Sequence, residues 1–180
     1  LGLGYVGHSL FQSIKKKRIK IIGFDISKNK ITNLKKKFKY KNIISTNRTI
    51  LQNNNIYLVC VPTPVSKNKK PDLRPLINAC KILAKYLKKN DIVIFESTVY
   101  PGVTRNICAP HLLPKNIKME DKNFYFGYSP ERYSPGEKRN IEDITKIVSG
   151  ENLNVSKKIK KFYSKFIKNI HLTNSIEEAE

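Results

Sequence analysis

The sequence predicts an α/β protein with a doubly wound, mostly parallel sheet, and three observations support this fold class. Short β-rich segments alternate with stretches of helical periodicity along the 180 residues. A glycine-rich turn opens the chain and leads directly into a helix, and small hydroxyl or acidic residues follow several strands. The chain is long enough for one domain with a real core. Its longest apolar run, residues 56–61, is too short to cross a bilayer.

The periodicity of apolar residues sets the order of the elements. The predicted strands cover residues 19–24, 56–61, 91–95, 124–128, 146–148 and 169–172. The predicted helices cover residues 9–17, 27–38, 75–87, 103–111 and 155–166, and residues 129–138 form a loop rich in proline and glycine. We therefore predict one domain over residues 1–174, truncated at its N-terminus. Residues 175–180 are predicted to start a further helix that the chain end cuts off.

The charge of the chain leaves the choice of partner open at first. The formal net charge of +21, from 35 basic and 14 acidic residues, suggests a polyanion such as nucleic acid. However, 29 of the basic residues are lysine and six are arginine, and the chain is also rich in asparagine and isoleucine, as an AT-rich coding bias would produce. Nucleic-acid readers rely on arginine, so we predict neither a nucleic-acid nor a membrane partner.

The cysteines and the N-terminus indicate a cytoplasmic protein. Three cysteines, Cys60, Cys80 and Cys108, have neither CxxC spacing nor histidine partners. Neither a disulfide framework nor a metal site is therefore predicted. The N-terminal residues show no secretory signal, so a reducing cytosol is the expected compartment.

The opening glycines predict a dinucleotide site. Gly2, Gly4 and Gly7 fit the G-x-G-x-x-G pattern of a Rossmann-like fold. In this pattern the glycines permit a tight turn, close approach to a pyrophosphate and close helix–strand packing. Asp25 lies 18 residues past Gly7 at the end of the next strand. A carboxylate there would bind the ribose of NAD and repel the 2′-phosphate of NADP. The alternative is a surface aspartate that caps the helix beginning near Ser27.

Three further strand ends carry polar side chains: Thr63, Thr98 and Glu131. Ligands of open parallel sheets bind beyond the carboxyl ends of the strands, so these side chains would line one crevice with the glycine turn. Each residue alone could be a turn or capping residue, and Glu131 could simply pair with Arg132 or a nearby lysine. Together with Asp25, these residues make four candidates at one edge of the sheet, and this number favours a binding site.

The motifs at these positions resemble one family. GLGYVG, CVPTPV (60–65), ESTVYPG (96–102), GYSPERYSPG (127–136) and the closing IHLTNSIEEAE follow the order and spacing of the UDP-glucose/GDP-mannose dehydrogenases. Within that family the resemblance is closest to the UDP-N-acetylhexosamine 6-dehydrogenases. The resemblance implies that a sugar C6 alcohol is oxidised to an aldehyde. A cysteine thiohemiacetal and thioester would then lead to the carboxylate, with two NAD reduced per turnover, for surface polysaccharide synthesis.

The resemblance also implies roles for individual residues. The three glycines and the backbone of Tyr5 and Val6 would hold the pyrophosphate, and Asp25 with Lys30 would hold the adenosine ribose. Thr63 would lie along the cofactor. The catalytic and substrate candidates are Thr98, which would position a water, Glu131, the acid of the hydrolytic half-reaction, and Arg132, which would contact the nucleotide sugar.

Several parts of the family pattern are expected outside this sequence. The nucleophilic cysteine, a catalytic lysine and asparagine on a central helix, and the sugar-nucleotide domain should follow residue 180, and the first strand should precede residue 1. The fragment alone is therefore expected to be inactive and unstable, and the full protein to be a homodimer. Alternatives are a UDP-glucose dehydrogenase, another NAD-linked dehydrogenase, a non-catalytic nucleotide-sensing domain and a basic nucleic-acid-binding module.

Overall fold

The computed structural model describes residues 1–40, 42–114, 116–132 and 141–180. The strands within these ranges are β1 (Gly23–Phe24), β2 (Ile44–Ser45), β3 (Ile56–Val59), β4 (Ile92–Phe95), β5 (Tyr125–Tyr128), β6 (Lys146–Gly150) and β7 (Ile170–Leu172). The α-helices are α1 (Tyr5–Lys16), α2 (Lys28–Phe38), α3 (Arg74–Leu83), α4 (Ala109–His111), α5 (Leu153–Tyr163) and α6 (Ile176–Ala179). A π-helical stretch, Val103–Cys108, runs directly into α4. No described helix has the length and apolar composition needed to cross a membrane.

The strands form a mostly parallel sheet, as the sequence predicts. Strands β3 to β7 are hydrogen-bonded in chain order, and among these pairs only β5–β6 is antiparallel. Strands β1 and β2 form a separate parallel pair. The backbone of the first residues joins the two groups, because the Gly2 amide donates to the Phe24 carbonyl (2.9 Å) and the Cys60 amide donates to the Leu1 carbonyl (2.8 Å). The chain thus follows the order of a doubly wound sheet, with its first residues in the place of the first strand.

Helices cover both faces of the sheet, because the side chains along β4 alternate between the two faces and are apolar on each. Val93 and Phe95 pack in a cluster with α3, the π-helical stretch and α6. Ile92 and Ile94 point to the other face and pack in a cluster with α1 and α5. All four side chains are buried. A strand buried on both sides is typical of a parallel sheet between two helical layers.

Polar side chains fix where several helices begin. The Ser27 hydroxyl accepts from the Lys30 amide (3.2 Å) at the start of α2, and the Asn152 side chain accepts from the Val155 amide (3.0 Å) at the start of α5. Such caps satisfy amides that the first turn of a helix leaves unbonded. Ser175 caps α6 in the same way.

Some predicted bounds are wrong. The strand predicted over residues 19–24 is reduced to β1, because regular pairing is limited to Gly23 and Phe24 with the two residues of β2. Strand β2 is absent from the predicted elements, because it is too short for a period of two to be recognised. Residues 133–138 of the predicted loop lie outside the described residues.

Candidate active site

A cleft of about 930 Å³ opens at the carboxyl ends of β1, β3, β4 and β5. The predicted site residues that line it are Gly2, Gly4, Tyr5, Val6, Asp25, Lys30, Thr63, Thr98 and Glu131. Gly7 lies behind the turn, and Arg132 is exposed beside Glu131 without lining the cleft. The structure therefore brings the strand ends and the glycine turn together at one site, as the strand-end argument predicts.

The three glycines of the turn face different surroundings. Gly2 has φ +82°, and a β-carbon there would lie 2.6 Å from the Cys60 carbonyl oxygen. A β-carbon at Gly7 would overlap the Gly2 carbonyl oxygen, so this glycine permits close helix packing. A β-carbon at Gly4 would meet no atom of the described residues within 4 Å, apart from those of Gly4 itself and its two chain neighbours. Gly4 is also the N-cap of α1 and supplies no capping side chain, so it leaves room beside a helix N-terminus for a phosphate group.

Asp25 is buried at the end of β1 and holds three donors. Its carboxylate accepts from the amides of Leu3 (2.8 Å) and Ser27 (2.9 Å) and from Lys30 Nζ (3.1 Å). Burial alone would raise the pKa of Asp25, but these hydrogen bonds outweigh it and hold the pKa below its usual value. A carboxylate offers about four acceptor positions. Asp25 is therefore a fixed anion with capacity for one further donor, such as a ribose hydroxyl.

Hydrogen bonds between strand ends hold the middle of the cleft. The Thr63 hydroxyl donates to the Thr98 carbonyl (2.7 Å), and the Ser97 hydroxyl donates to the Val61 carbonyl (2.6 Å). The segments that follow β3 and β4 are therefore tied to each other. The Thr98 side chain is exposed at the cleft, where it is free to contact a ligand.

Glu131 forms an ion pair with a lysine, which was one of the alternatives in the sequence, although the sequence did not single out Lys146. Its carboxylate lies 3.5 Å from the ammonium of Lys146, which begins β6. The same ammonium lies 2.5 Å from Glu96, at the end of β4. A lysine that begins an otherwise apolar strand is the signal that could have revealed this cluster, since lysine is rarely buried without a partner.

The surroundings of Cys60 disfavour a thiolate, and the other two cysteines do not line the cleft. Cys60 lines the cleft, but burial raises the pKa of its thiol to about 12, and the negative charge of Glu96 adds to the effect. Cys80 and Cys108 are buried in the core. A nucleophilic cysteine needs a thiolate.

Sequence comparison relates the chain to nucleotide-sugar enzymes. Residues 36–167 match the model described as UDP-glucose/GDP-mannose dehydrogenase family, NAD binding domain. The chain is 38% identical to Protein CapL of Staphylococcus aureus over all of its own length and 46% of that protein. It is also 38% identical to UDP-N-acetyl-D-glucosamine 6-dehydrogenase of Pseudomonas aeruginosa, with the same coverage. The chain thus spans less than half the length of these curated relatives.

Solved structures agree with this relation. The UDP-D-ManNAc dehydrogenase of Pyrococcus horikoshii superposes with a TM-score of 0.82 at 26% sequence identity. The match covers 99% of this chain and 47% of that one.

Proposed function

The chain belongs to the UDP-glucose/GDP-mannose dehydrogenase family, and we propose that it is the NAD-binding part of a UDP-N-acetylhexosamine 6-dehydrogenase. The enzyme would oxidise the C6 alcohol of the sugar to a carboxylate with two NAD, in the cytoplasm, for surface polysaccharide synthesis. One observation carries the proposal: Thr98 and Glu131 line the same cleft as the glycine turn. The names of the curated relatives favour an N-acetylhexosamine as the substrate.

The residues of the cleft fit NAD. The space beside Gly4 and the N-terminus of α1 suit the diphosphate, because helix N-terminal amides and the helix dipole favour an anion. Asp25 would accept a hydrogen bond from the adenosine ribose, with Lys30 beside it, and its negative charge would repel the phosphate of NADP. Thr63 would lie along the cofactor. NAD, when bound, supplies the hydride acceptor.

The chemical steps are assigned to Thr98 and Glu131, which line the same cleft. Thr98 would hold a water near the carbon to be oxidised. In the hydrolytic half-reaction the water oxygen bonds to the thioester carbon, the carbon–sulfur bond breaks, and the cysteine leaves as a thiolate. Glu131 would take the proton that the water loses, since a carboxylate within reach of a reacting water can act as its base. Arg132 would contact the nucleotide sugar from the rim. The cysteine is proposed to lie in the part of the enzyme after residue 180, together with the helix that builds a homodimer.

The experiment uses the complete open reading frame that contains this chain. NADH absorbance would be followed with UDP-N-acetylglucosamine, UDP-N-acetylgalactosamine and UDP-glucose. The proposal predicts two NADH per molecule of an N-acetylhexosamine substrate. NAD binding without turnover of any of the three sugars would contradict it and favour a nucleotide-sensing role.

A pair of glutamate variants sharpens this test. Glu131→Gln removes the proposed base, and we expect steady-state turnover to fall by about 10²-fold or more. The matched control is Glu120→Gln, whose side chain is 76% exposed in a surface ion pair with Lys118. This control should keep wild-type turnover.

A further inference from the structure

A carboxylate at the end of α6 holds the backbone that follows the cleft. Glu180 Oε2 accepts from the Gly102 amide (2.5 Å), and Oε1 accepts from the Thr104 amide (2.7 Å). These amides open the π-helical stretch, whose N-cap, Gly102, has no side chain to bind them. The first turn of a helix leaves its amides unbonded, and a negative charge is favourable there. The cap of this stretch therefore comes from a residue 76 positions along the chain from Thr104.

The segment that ends at Gly102 also carries Thr98, and we call residues 97–102 the Thr98 loop. Its first residues are tied to the segment after β3, because the Ser97 hydroxyl donates to the Val61 carbonyl (2.6 Å) and the Thr98 carbonyl accepts from the Thr63 hydroxyl (2.7 Å). The Thr98 side chain is exposed at the cleft. The loop is thus held at its first residues by the segment after β3 and at its last residue by Glu180.

Apolar packing brings α6 to the loop but does not fix the loop along its path. Ile176 and Ala179 are buried in a cluster that also contains Phe95, Val99 and Val103. Such packing has no preferred direction, whereas two hydrogen bonds to one carboxylate fix the position of the backbone. Gly102, with φ +94°, is the point at which the loop turns into the π-helical stretch. The Glu180 carboxylate therefore sets where this turn lies.

The neighbouring glutamates of α6 contact other groups. Glu177 accepts from Arg105 Nε (2.7 Å) in a partly exposed ion pair on the π-helical stretch. Glu178 accepts from the Asn174 amide (2.8 Å), just before its own helix. In the described part of the chain, neither carboxylate has a hydrogen bond to the Thr98 loop. Glu177 is therefore a matched control, because it joins the same two elements through a side chain and leaves the loop backbone alone.

We propose that Glu180 is a positioning residue for Thr98, which acts by fixing the Gly102 end of the loop and with it the place of the Thr98 hydroxyl in the cleft. The inference rests on the proposed function, in which Thr98 holds the water near the carbon to be oxidised. Glu180 does not line the cleft, so its influence passes through the loop backbone. The inference gives the helix after β7 a share in aligning that water.

The first test compares two variants of the complete protein by NADH absorbance. In Glu180→Gln the side-chain oxygen can accept from one amide, but the NH₂ group faces the other donor. We expect steady-state turnover to fall by about 10- to 100-fold, because a small misplacement of a reacting group has such an effect. NAD affinity should stay within about twofold of wild type, since Gly4 and Asp25 belong to other segments. Glu177→Gln should keep wild-type turnover, and equal losses in the two variants would overturn the inference.

A double-mutant cycle with Thr98→Ala separates positioning from a merely structural role. If Glu180 acts through Thr98, its replacement matters little once the Thr98 hydroxyl is absent. Adding Glu180→Gln to Thr98→Ala should therefore lower turnover by about twofold or less, because the effects of coupled residues are not additive. The same loss in both backgrounds would show that the two residues act independently and would overturn the inference.

Hydrogen exchange followed by mass spectrometry provides a readout that does not depend on turnover. The peptide that covers residues 97–104 should exchange faster in Glu180→Gln than in wild type or Glu177→Gln, because the Gly102 and Thr104 amides lose their shared acceptor. If Glu180→Gln does not fold, Glu180→Asp replaces it in every test. Its carboxylate is one methylene shorter and keeps its charge, so it should show the same coupling to Thr98 with a smaller loss.

The two readouts distinguish failure of the inference from failure of the proposed function. An inactive wild type, with faster exchange in the variant, would refute the proposed function but not the hold of Glu180 on the loop. Unchanged exchange would refute that hold whether or not the protein is active. Faster exchange with additive losses in an active protein would refute the role of Glu180 in positioning Thr98.

Discussion

The contrast between Gly2 and Gly4 gives the sharpest prediction about the cofactor site. Replacing Gly4 by alanine places a β-carbon where, apart from the adjoining residues, no atom of the described part of the chain lies within 4 Å. The backbone there has φ −67°, which any residue adopts. We expect the free energy of unfolding to change by less than about 0.5 kcal/mol. The new methyl group would, however, occupy the space proposed for the NAD diphosphate.

The size of the affinity loss follows from the hydrogen bonds at risk. A hydrogen bond to a charged group contributes about 1.5–3 kcal/mol. Displacing the diphosphate from one backbone amide of the turn should therefore weaken NAD binding by about 10- to 100-fold. Gly4→Ala is thus expected to lose cofactor affinity without losing stability.

Gly2→Ala is the contrasting variant. Its positive φ of +82° disfavours a side chain, and the β-carbon would lie 2.6 Å from the Cys60 carbonyl oxygen. The backbone conformation alone costs about 1–2 kcal/mol, and the overlap adds to it. We therefore expect the free energy of unfolding to fall by at least about 2 kcal/mol.

Both variants would be measured in the complete protein. Urea unfolding followed by circular dichroism gives the stability, and isothermal titration calorimetry gives the NAD dissociation constant. The reasoning is refuted if Gly4→Ala binds NAD as wild type does, or if it loses as much stability as Gly2→Ala.

Three further predictions concern other residues. Asp25→Asn should lower the free energy of unfolding at neutral pH, because folding lowers the pKa of Asp25 and the ionised carboxylate therefore stabilises the native state. This contribution is complete above the pKa of the unfolded chain, about 3.8, and is lost as the pH falls through the pKa of the folded protein. Urea unfolding should therefore show the stability difference between variant and wild type shrinking below about pH 3.8, and a difference independent of pH would contradict this. Cys60 should resist iodoacetamide in the native protein at neutral pH, since its pKa of about 12 keeps the thiol protonated; rapid labelling seen by mass spectrometry would refute this. Glu180→Gln replaces the carboxylate that accepts hydrogen bonds from the amides of Gly102 (2.5 Å) and Thr104 (2.7 Å) by a neutral amide. Urea unfolding should show a free energy of unfolding lower by about 1–2 kcal/mol. An unchanged unfolding midpoint would show that these hydrogen bonds do not contribute to stability.

The sequence predicted those parts of the fold and site whose residues lie close together in the chain or at a fixed interval from one another. The glycine turn, Asp25 and the run that forms β4 are each recognisable within a few residues or at a fixed interval. Their convergence at one cleft followed from the rule that parallel strands end at the same edge of a sheet. The sequence alone therefore predicts that Thr63, Thr98 and Glu131 lie together.

The parts that could not be predicted depend on contacts between distant residues. Lys146 meets Glu96 across 50 positions of sequence, and Tyr163 meets the same carboxylate across 67. The lysine at the start of an apolar strand indicates a buried partner, but no local pattern says which residues that partner and its neighbours are. Strand β2 was missed for another reason, since its two residues pair only because β1 lies beside them.

The most direct measurement of the central claim is a crystal structure of the complete protein with NAD and a UDP-N-acetylhexosamine. The account predicts the diphosphate beside Gly4 and the N-terminus of α1, and the adenosine ribose hydrogen-bonded to Asp25. Glu131 should lie within hydrogen-bond distance of a water at the sugar C6, with its carboxylate still paired to Lys146. A cofactor bound elsewhere, or a Glu131 side chain turned away from the substrate, would contradict the account.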